Sequence, residues 1–243
     1  MVVFVRLRMR FNKEGLIRFI SHLDLMRTFE RAFRRADLPI AFTKGFNPRP
    51  KITFTPALSV GITSSSEYID VEFYEDVSMH DVAFKLNRVL PEGIKITGVK
   101  QADETLPLSM LNGAKYVVTV VLGEVNPEEL KKGIDILSQQ DEIIVERNTK
   151  SRKKFVNIAP FIYSLDLFNY DSDTADIFMS ISVGQQGSVA PRTVIRELER
   201  ILAKKLDVVS IHREEIFYKN DNKISPFNIA EHINPEDSKQ GPL

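Results

Sequence analysis

Four arginines lie on one side of a candidate helix near the N-terminus. The segment "SHLDLMRTFERAFRRADLP", residues 21–39, carries them at spacings of four, three and one, as Arg27, Arg31, Arg34 and Arg35. Residues three or four apart are neighbours on a helix surface, and guanidinium groups bind phosphate oxygens through paired hydrogen bonds. The spacing therefore predicts a helix face that can contact successive phosphates, with a solvated basic face as the alternative.

A short stretch of unusual loop chemistry follows this helix, "KGFNPRPK" at residues 44–51. Gly45 allows backbone conformations that other residues resist, and Pro48 and Pro50 push the residues before them toward extended geometry. A stiff loop loses little entropy on binding, so the pattern favours a recognition loop over a rigid connector. Its polar candidates are Lys44, Asn47, Arg49 and Lys51, and the rings that could stack on bases are Phe42, Phe46 and Phe54.

Acid–base chemistry has only two nearby candidates, His22 and Asp24 in "SHLD". Residues two apart do not face each other on a helix, and Ser21 with Asp24 already matches a variant of the helix-capping box. Half-buried packing is the alternative for His22. The chain has no cysteine, which excludes thiolate catalysis and Cys-ligated clusters, and its four histidines show no metal-ligand spacing. We therefore expect no metal and no cofactor.

A second glycine-bearing loop, "VGQQGSVAPRT", precedes a helix that is expected to begin near Pro191. Amides at a helix start can hold an anion, and a nearby hydroxyl or guanidinium can assist. The stretch matches neither the Walker A pattern nor a dinucleotide fingerprint. An anion site and a flexible strand-to-helix turn both remain open for Gly184, Gly187, Ser188 and Arg192.

The charge of the chain is unevenly distributed. The 243 residues carry 33 basic and 33 acidic side chains, but residues 1–54 hold 12 basic against 4 acidic ones. Segregation of this kind indicates an anionic partner for the N-terminal quarter, or a cationic face that is solvated or paired with the acidic remainder. The N-terminus alternates apolar and basic residues, unlike a signal peptide, and no apolar run approaches the ~20 residues of a membrane span. We expect a cytoplasmic protein without membrane contact.

Hydrophobic periodicity predicts an α+β protein. Residues 1–102 follow the order β-α-β-β-α-β, which is the pattern of a ferredoxin-like unit with an antiparallel sheet and helices on one face. Residues 103–114 are expected to be a linker, and residues 115–219 a second ferredoxin-like unit with an insertion after its second strand. Residues 220–243 are expected to be a flexible tail.

The first predicted strand, "VVFVRLRMRF" at residues 2–11, alternates between apolar and basic residues from Val5 onward. Val3, Val5, Leu7, Met9 and Phe11 fall on one side, and the arginines fall on the other. A period of two with one basic side predicts a strand whose basic face is exposed to solvent. The residues expected on that exposed face are Arg6, Arg8 and Arg10.

Five motifs in the first 75 residues have a specific combined pattern. They are F-x-K-x-G at 11–15, R-F-x-S-H-x-D at 18–24, E-R-A-x-R-R at 30–35, G-F-N-P-x-P-K-I at 45–52 and S-x-G-x-x-S-x-x-E-Y at 59–68. Together they resemble the radical-SAM-linked protein family, an uncharacterised bacterial domain family of the DUF2344 type. The resemblance is weaker to about residue 219, where G-x-x-G-S-x-x-P stands at 184–191.

The resemblance implies a partner rather than a reaction. Members are fused to, or encoded beside, a radical SAM enzyme, and their gene neighbourhoods point loosely to RNA. The leading hypothesis is a non-catalytic accessory protein that binds tRNA or rRNA through its basic N-terminal face. One alternative is an RNA-processing enzyme with His22 as general base and Arg49 or Lys51 stabilising the transition state. Another is a protein-interaction module whose basic face docks an acidic surface of the radical SAM partner.

Overall fold

The structure is a computed structural model that describes residues 5–148, 153–184, 187–219 and 225–227. The chain is a mixed α+β protein with two compact units. Unit 1 comprises Met1–Leu111 and Asn220–Leu243, and unit 2 comprises Asn112–Lys219. Within the described ranges, no helix combines the length and apolar character that crossing a membrane requires.

Unit 1 shows the element order that the periodicity predicts for residues 1–102. Its strands pair in the order β4–β1–β3–β2, and every pairing is antiparallel. The elements are β1 (Val5–Lys13), α1 (His22–Arg35), β2 (Ile52–Phe54), β3 (Thr63–Phe73), α2 (Met79–Asn87) and β4 (Ile94–Gln101). β2 is much shorter than the strand predicted over residues 52–62, and Pro56, which cannot donate a ladder hydrogen bond, follows its end.

Helix α1 forms because its ends and its apolar stripe agree. The Ser21 hydroxyl accepts a hydrogen bond from the Asp24 amide and caps the first turn. The buried side chains Leu25, Phe29, Ala32 and Phe33 recur at helical spacing and lie against the sheet. The Phe29 ring packs edge-on against Phe11 of β1 at 4.8 Å between centroids. Truncating Phe29 to alanine would cost about 3–5 kcal/mol of stability.

The prediction that the basic face of β1 is exposed to solvent is wrong at Arg8, while Arg6 and Arg10 are partly exposed. Arg8 is only 1% exposed, and its guanidinium donates to both Asp70 carboxylate oxygens at 2.7 and 2.9 Å. The same group donates to the Leu106 carbonyl at 2.8 Å. A buried cation is tolerated when it is paired and hydrogen-bonded. The alternation identified the polar face of β1. It could not show that Arg8 on this face is neutralised by the Asp70 carboxylate, 62 residues away in the sequence.

Two segments outside the β-α-β-β-α-β core cover this second face. Leu108, in the stretch that the sequence suggests is a linker, is fully buried, and its short 3-10 turn packs on β2 and β3. Phe227, in the expected flexible tail, is only 2% exposed and packs on unit 1. The tail prediction is therefore wrong at Phe227, and residues 220–224 and 228–243 lie outside the described residues.

Unit 2 repeats the strand order of unit 1. Its main sheet runs β10–β5–β9–β8 and is antiparallel throughout, while β6 and β7 form a separate two-stranded sheet. The elements are β5 (Gly113–Val121), α3 (Pro127–Ser138), β6 (Ile144–Asn148), β7 (Lys153–Asn157), β8 (Ile162–Tyr170), β9 (Thr174–Ser182), α4 (Pro191–Leu202) and β10 (Asp207–Phe217).

The insertion in unit 2 lies before the second strand of the main sheet, not after it as predicted. The prediction took β6 as that strand, but β6 pairs only with β7, and β8 occupies the place beside β9. An alternating segment fits a hairpin as well as a central sheet, so periodicity alone cannot assign its partner. The helices are as predicted, each beginning at a proline, and α3 has a full capping box at Asn126 and Glu129.

Candidate nucleic-acid interface

The loop of residues 42–50 leaves the sheet of unit 1 and returns to it at one point. The Ala41 amide donates to the Glu72 carbonyl at 2.7 Å, and the Glu72 amide donates to the Lys51 carbonyl at 3.1 Å. The Lys51 amide also donates to the Ala41 carbonyl at 2.9 Å. Both ends of the loop are therefore fixed to one residue of β3, as in an Ω-loop. We call residues 42–50 the excursion loop.

Hydrogen bonds within the excursion loop hold its two ends together. Phe42 and Pro50 form a bridge, and the Thr43 amide donates to the Arg49 carbonyl at 2.9 Å. The Arg49 amide in turn donates to the Thr43 hydroxyl at 3.0 Å. Gly45 at the tip has a φ of 144°, which side chains rarely allow. The base of the loop is thus held by the protein itself, which lowers the entropy cost of binding there.

The tip of the excursion loop presents an aromatic ring among cations. Phe46 is fully exposed, and Phe42 is about half exposed. Lys44, Asn47 and Arg49 are exposed as well, as the sequence predicts for a recognition loop. A solvent-facing ring beside cations can stack on an unpaired base while its neighbours contact phosphates.

Lys51 differs from the other predicted loop residues. Its ammonium forms an ion pair with the Glu72 carboxylate, and its side chain is about one-third exposed. Glu72 is also the residue that anchors both ends of the excursion loop. Lys51 therefore fastens the loop to β3, and its charge is already neutralised by the protein.

The four arginines of α1 are all exposed but are engaged differently. Arg35 donates to the Val89 carbonyl at 2.6 Å and so ties α1 to the end of α2. Arg27 forms an exposed ion pair with Asp24 at 3.5 Å, a contact of little energy in water. The side chains of Arg31 and Arg34 have no hydrogen bond or ion pair with the residues that the structure describes. These last two are the best placed of the predicted set to meet a ligand.

His22 belongs to a polar cluster that the sequence reasoning did not assemble. Its ring meets Phe54 edge-on at 5.6 Å, and burial lowers the pKa of His22 below its usual 6.5. Glu67 opposes this lowering of the pKa, and Lys13 adds to it. Lys13 and Glu67 are buried, and the Thr55 hydroxyl donates to the Glu67 carboxylate at 3.2 Å.

The signal for this cluster was present in two motifs. Lys13 stands in F-x-K-x-G and Glu67 in S-x-G-x-x-S-x-x-E-Y, but nothing in either motif shows that β1 and β3 are neighbours. Asp24 does not join His22, because the Ser21 hydroxyl donates to the Asp24 carboxylate at 2.7 Å and the pair caps the helix. No group of three or more acidic or histidine side chains in the described ranges could hold a metal ion.

The second predicted loop is held by packing. Gly184 and Gly187 have φ values of 93° and 124°, and a Cβ on Gly187 would lie 2.3 Å from the Phe161 ring. The Ser188 carbonyl accepts a hydrogen bond from Arg147, and Arg192 is exposed on the first turn of α4. Close packing thus explains the second glycine. Anion binding by Gly184, Gly187, Ser188 and Arg192 stays a prediction.

Comparison with solved structures finds a similar fold. The chain matches a chain of "Crystal Structure of a Cbf5-Nop10-Gar1 Complex" with a TM-score of 0.53 and 10% identity, covering 89% of this chain and 50% of that chain. It spans about half the length of that relative, and the likeness shows the fold alone.

Two further structures match with TM-scores below 0.5, too low to establish a shared fold. "Crystal structure of the archaeal box H/ACA sRNP Nop10-Cbf5 complex" has a TM-score of 0.45 at 10% identity, with 85% of this chain and 46% of that chain covered. "Structure of H/ACA RNP bound to a substrate RNA containing 2'-deoxyuridine" has a TM-score of 0.48 at 10% identity, with 89% and 49% covered.

Sequence comparison gives the family. No curated protein sequence matches the chain significantly. Residues 6–191, well over half of the chain, match the family described as "Uncharacterized protein conserved in bacteria (DUF2344)". This match includes β1, α1, the excursion loop and the His22 cluster. The chain therefore belongs to the DUF2344 family of bacterial proteins.

Proposed function

We propose that this protein binds RNA through unit 1 and presents it to a modifying enzyme. The observation that carries the proposal is the excursion loop, where a fully exposed Phe46 stands on a loop fixed at both ends to β3. Phe46 lies between the exposed cations Lys44 and Arg49, where its ring can stack on a partner with a flat face. Unpaired bases offer such faces in any sequence.

The exposed cations give this surface the electrostatics that RNA requires. Lys44 and Arg49 lie in the excursion loop, and Arg31 and Arg34 lie on the preceding helix. Residues 1–54 carry a balance of +8, from 12 basic and 4 acidic residues, whereas the whole chain is neutral. Cations that contact phosphates release counterions, so binding of this kind weakens steeply as salt rises.

The finer parts of the proposal rest on the family resemblance and on topology. We interpret both units as ferredoxin-like, because each has helices and strands in the β-α-β-β-α-β order and the sheet order 4-1-3-2. The resemblance suggests a radical SAM enzyme as the partner and tRNA or rRNA as the substrate. In this proposal the chain itself is an accessory protein without catalysis.

The test is retention of RNA by the purified full chain. The protein is expressed in bacteria, captured at about 50 mM salt and washed at about 200 mM. We expect nuclease-sensitive RNA to co-purify at low salt and to fall by orders of magnitude in the wash. Absence of RNA at low salt, or retention that salt does not alter, would contradict the proposal.

A second candidate function follows from the His22 cluster. A neutral imidazole beside a buried lysine and glutamate can accept a proton near neutral pH, which is what a general base needs. Lys13, rather than Arg49 or Lys51, is the cation that acts on His22. RNA cleavage by the wild type that is lost in His22→Ala would favour this enzyme; intact RNA after long incubation would eliminate it.

A further inference from the structure

The outer strand of the unit 2 sheet has one side without a partner strand. β8 pairs with β9 on its inner side, and no other strand in the described ranges pairs with it. It occupies the place in the strand order of unit 2 that β2 occupies in unit 1. An edge strand presents backbone N–H and C=O groups that can pair with a strand of another chain.

The two outer strands of unit 1 have protections that β8 lacks. β2 has only three residues and is followed by Pro56, and β4 carries Lys95 and Lys100. Short length, proline and lysine are features with which edge strands avoid pairing with a second chain. β8 has nine residues, no proline and no lysine, and its one charged side chain is Asp166.

The apolar layer of unit 2 reaches the edge of the sheet without being closed there. Leu165 and Leu167 on β8 pair with Met179 and Ile177 on β9, and the two β9 side chains are 0% and 1% exposed. Both leucines are partly exposed, although α3 packs on β8. An apolar strip on a long edge strand is a place where a second chain can pair.

Two aromatic side chains extend this strip to the end of the strand. Phe168 is 71% exposed and Tyr170 is 56% exposed. The pairing with β9 shifts register between Leu167 and Asn169, which places Phe168 at a β-bulge, a feature that re-aims a side chain. Residues 164–167, between this bulge and an earlier one, pair regularly. The edge thus combines a regular backbone segment with apolar side chains that a partner would cover.

We infer that β8 is a dimer interface, at which a second copy of this chain adds its own β8 as an antiparallel strand. An acidic or basic partner gains little from a strand with a single charge, whereas an identical strand matches it in length and in apolar character. Pairing centred on Leu165 places Ser164 opposite Asp166 of the partner subunit, so the two carboxylates do not oppose each other. A two-fold axis closes the assembly at two copies.

The interface is expected to be small for a specific dimer. A nine-residue strand is about 30 Å long, and a strand with a helix packed on it is about 20 Å deep. These dimensions give roughly 600 Å² per copy, or about 1,200 Å² in total, the lower limit of specific interfaces. We therefore expect a reversible dimer whose dissociation constant is on the order of micromolar. The dimer is independent of the proposed RNA binding.

Sedimentation velocity of the full chain between about 1 and 100 µM tests the inference, because this range spans a micromolar dissociation constant. We expect the average mass to rise from that of one chain toward that of two. Phe168→Lys with Tyr170→Lys places cations along the edge of each copy and should keep the chain monomeric. Phe155→Lys, which changes an exposed ring on β7 of the same unit, is the matched control and should dimerise as the wild type does.

A second measurement does not depend on the lysine variants. The chain has no cysteine, so Ser164→Cys and Asp166→Cys chains each carry a single thiol. Opposed residues on neighbouring antiparallel strands have Cβ atoms about 4.5–5.5 Å apart, close to the separation that a disulfide spans. With pairing centred on Leu165, mild oxidation should link mixed chains efficiently and either chain alone poorly.

Several results would overturn the inference. They are a wild-type chain that stays monomeric at about 100 µM, a dimer that persists in Phe168→Lys with Tyr170→Lys, an equal loss of dimer in Phe155→Lys, and cysteine linkage that mixing does not increase. Dimerisation that the edge lysines abolish and the control retains, with linkage of mixed chains, supports it. RNA binding is measured separately by anisotropy, so its success or failure is distinguishable from that of the dimer.

Discussion

The two units share one strand order but differ in the charge of the first helix. In unit 1, α1 carries four arginines against Asp24 and Glu30, and the helix ends in Arg34 and Arg35. In unit 2, α3 has two lysines, Lys131 and Lys132, against three acidic side chains. Arg35 ties α1 to the Val89 carbonyl, but Arg27, Arg31 and Arg34 have no counterpart that the shared strand order requires. We propose that these three arginines serve a ligand at the surface.

The connection after the first helix differs in the same way. In unit 1 it is the excursion loop, and in unit 2 it is the β6–β7 hairpin, which pairs only with itself. Each exposes a phenylalanine, Phe46 in the loop and Phe155 on β7. Similar scaffolds thus carry different insertions at one topological position, as is common when loops carry function. Variants matched between the units can separate ligand contacts from general properties of the fold.

The largest difference between the units should be in stability. Asp70→Ala leaves Arg8 buried without its carboxylate partner and should cost about 3–5 kcal/mol. Glu215→Ala breaks the partly exposed Lys115–Glu215 pair of unit 2, with side chains 34% and 28% exposed, and should cost under about 1 kcal/mol. Urea unfolding measures the change in unfolding free energy of each variant. Hydrogen exchange by mass spectrometry shows which unit is destabilised. Equal losses of unfolding free energy in the two variants would contradict this difference between the buried and the exposed ion pair.

The next effect concerns RNA affinity. Phe46→Ala should weaken binding by about 1–3 kcal/mol, the range for one base stacked on an aromatic side chain. Phe155→Ala, which removes an exposed ring of the same kind from unit 2, should change affinity little. Anisotropy titrations of both variants at one salt concentration make the comparison. Similar losses would mean that the excursion loop is not special.

A smaller effect should appear in the salt dependence. Arg31→Ala with Arg34→Ala removes two exposed cations of α1 and should reduce the slope of log affinity against log salt by about 1.4, or ~0.7 per phosphate contact. Lys131→Ala with Lys132→Ala on α3 is the matched control and should leave the slope as in the wild type. Arg35 is left intact, since it ties α1 to Val89. If the slope fell more in the α3 control than in the α1 variant, the RNA-binding surface would lie on unit 2 instead.

The smallest effect is a dependence of stability on pH. Because burial lowers the pKa of His22, the folded state binds fewer protons than the unfolded state below pH 6.5. This contribution is fully present above pH 6.5 and is lost as the pH falls toward the lowered pKa. His22→Gln should therefore flatten the fall in unfolding free energy on the acid side, as urea titrations at several pH values would show. An unchanged acid slope would contradict the burial of His22.

Local patterns predicted most elements of the fold but not the contacts between them. The capping residue Ser21 and apolar periodicity mark α1, which forms with that cap. The burial of Arg8 depends on Asp70, and the burial of Phe227 depends on Gly98. Both are pairings across long sequence distances, which a single sequence does not reveal. The place of β6 was missed for the same reason.

The residues of the candidate site also fall into two groups, those placed by local sequence and those placed by distant partners. Lys44, Asn47 and Arg49 lie exposed in a loop that prolines and Gly45 shape locally, and their role in binding stays a prediction. Lys51 and Arg35 are held by Glu72 and by the Val89 carbonyl, partners that only the folded chain brings near. The packing of Phe227 on Tyr68 and Gly98 was missed, since these residues come from three separate segments.

The most direct test of the central claim is crosslinking of RNA to the protein in cells, followed by mapping of the crosslinked peptides. We expect crosslinks in unit 1, at Phe46 in the excursion loop and at the exposed arginines of α1. Crosslinks confined to unit 2, for example around Phe155, or a protein recovered without RNA, would contradict the account.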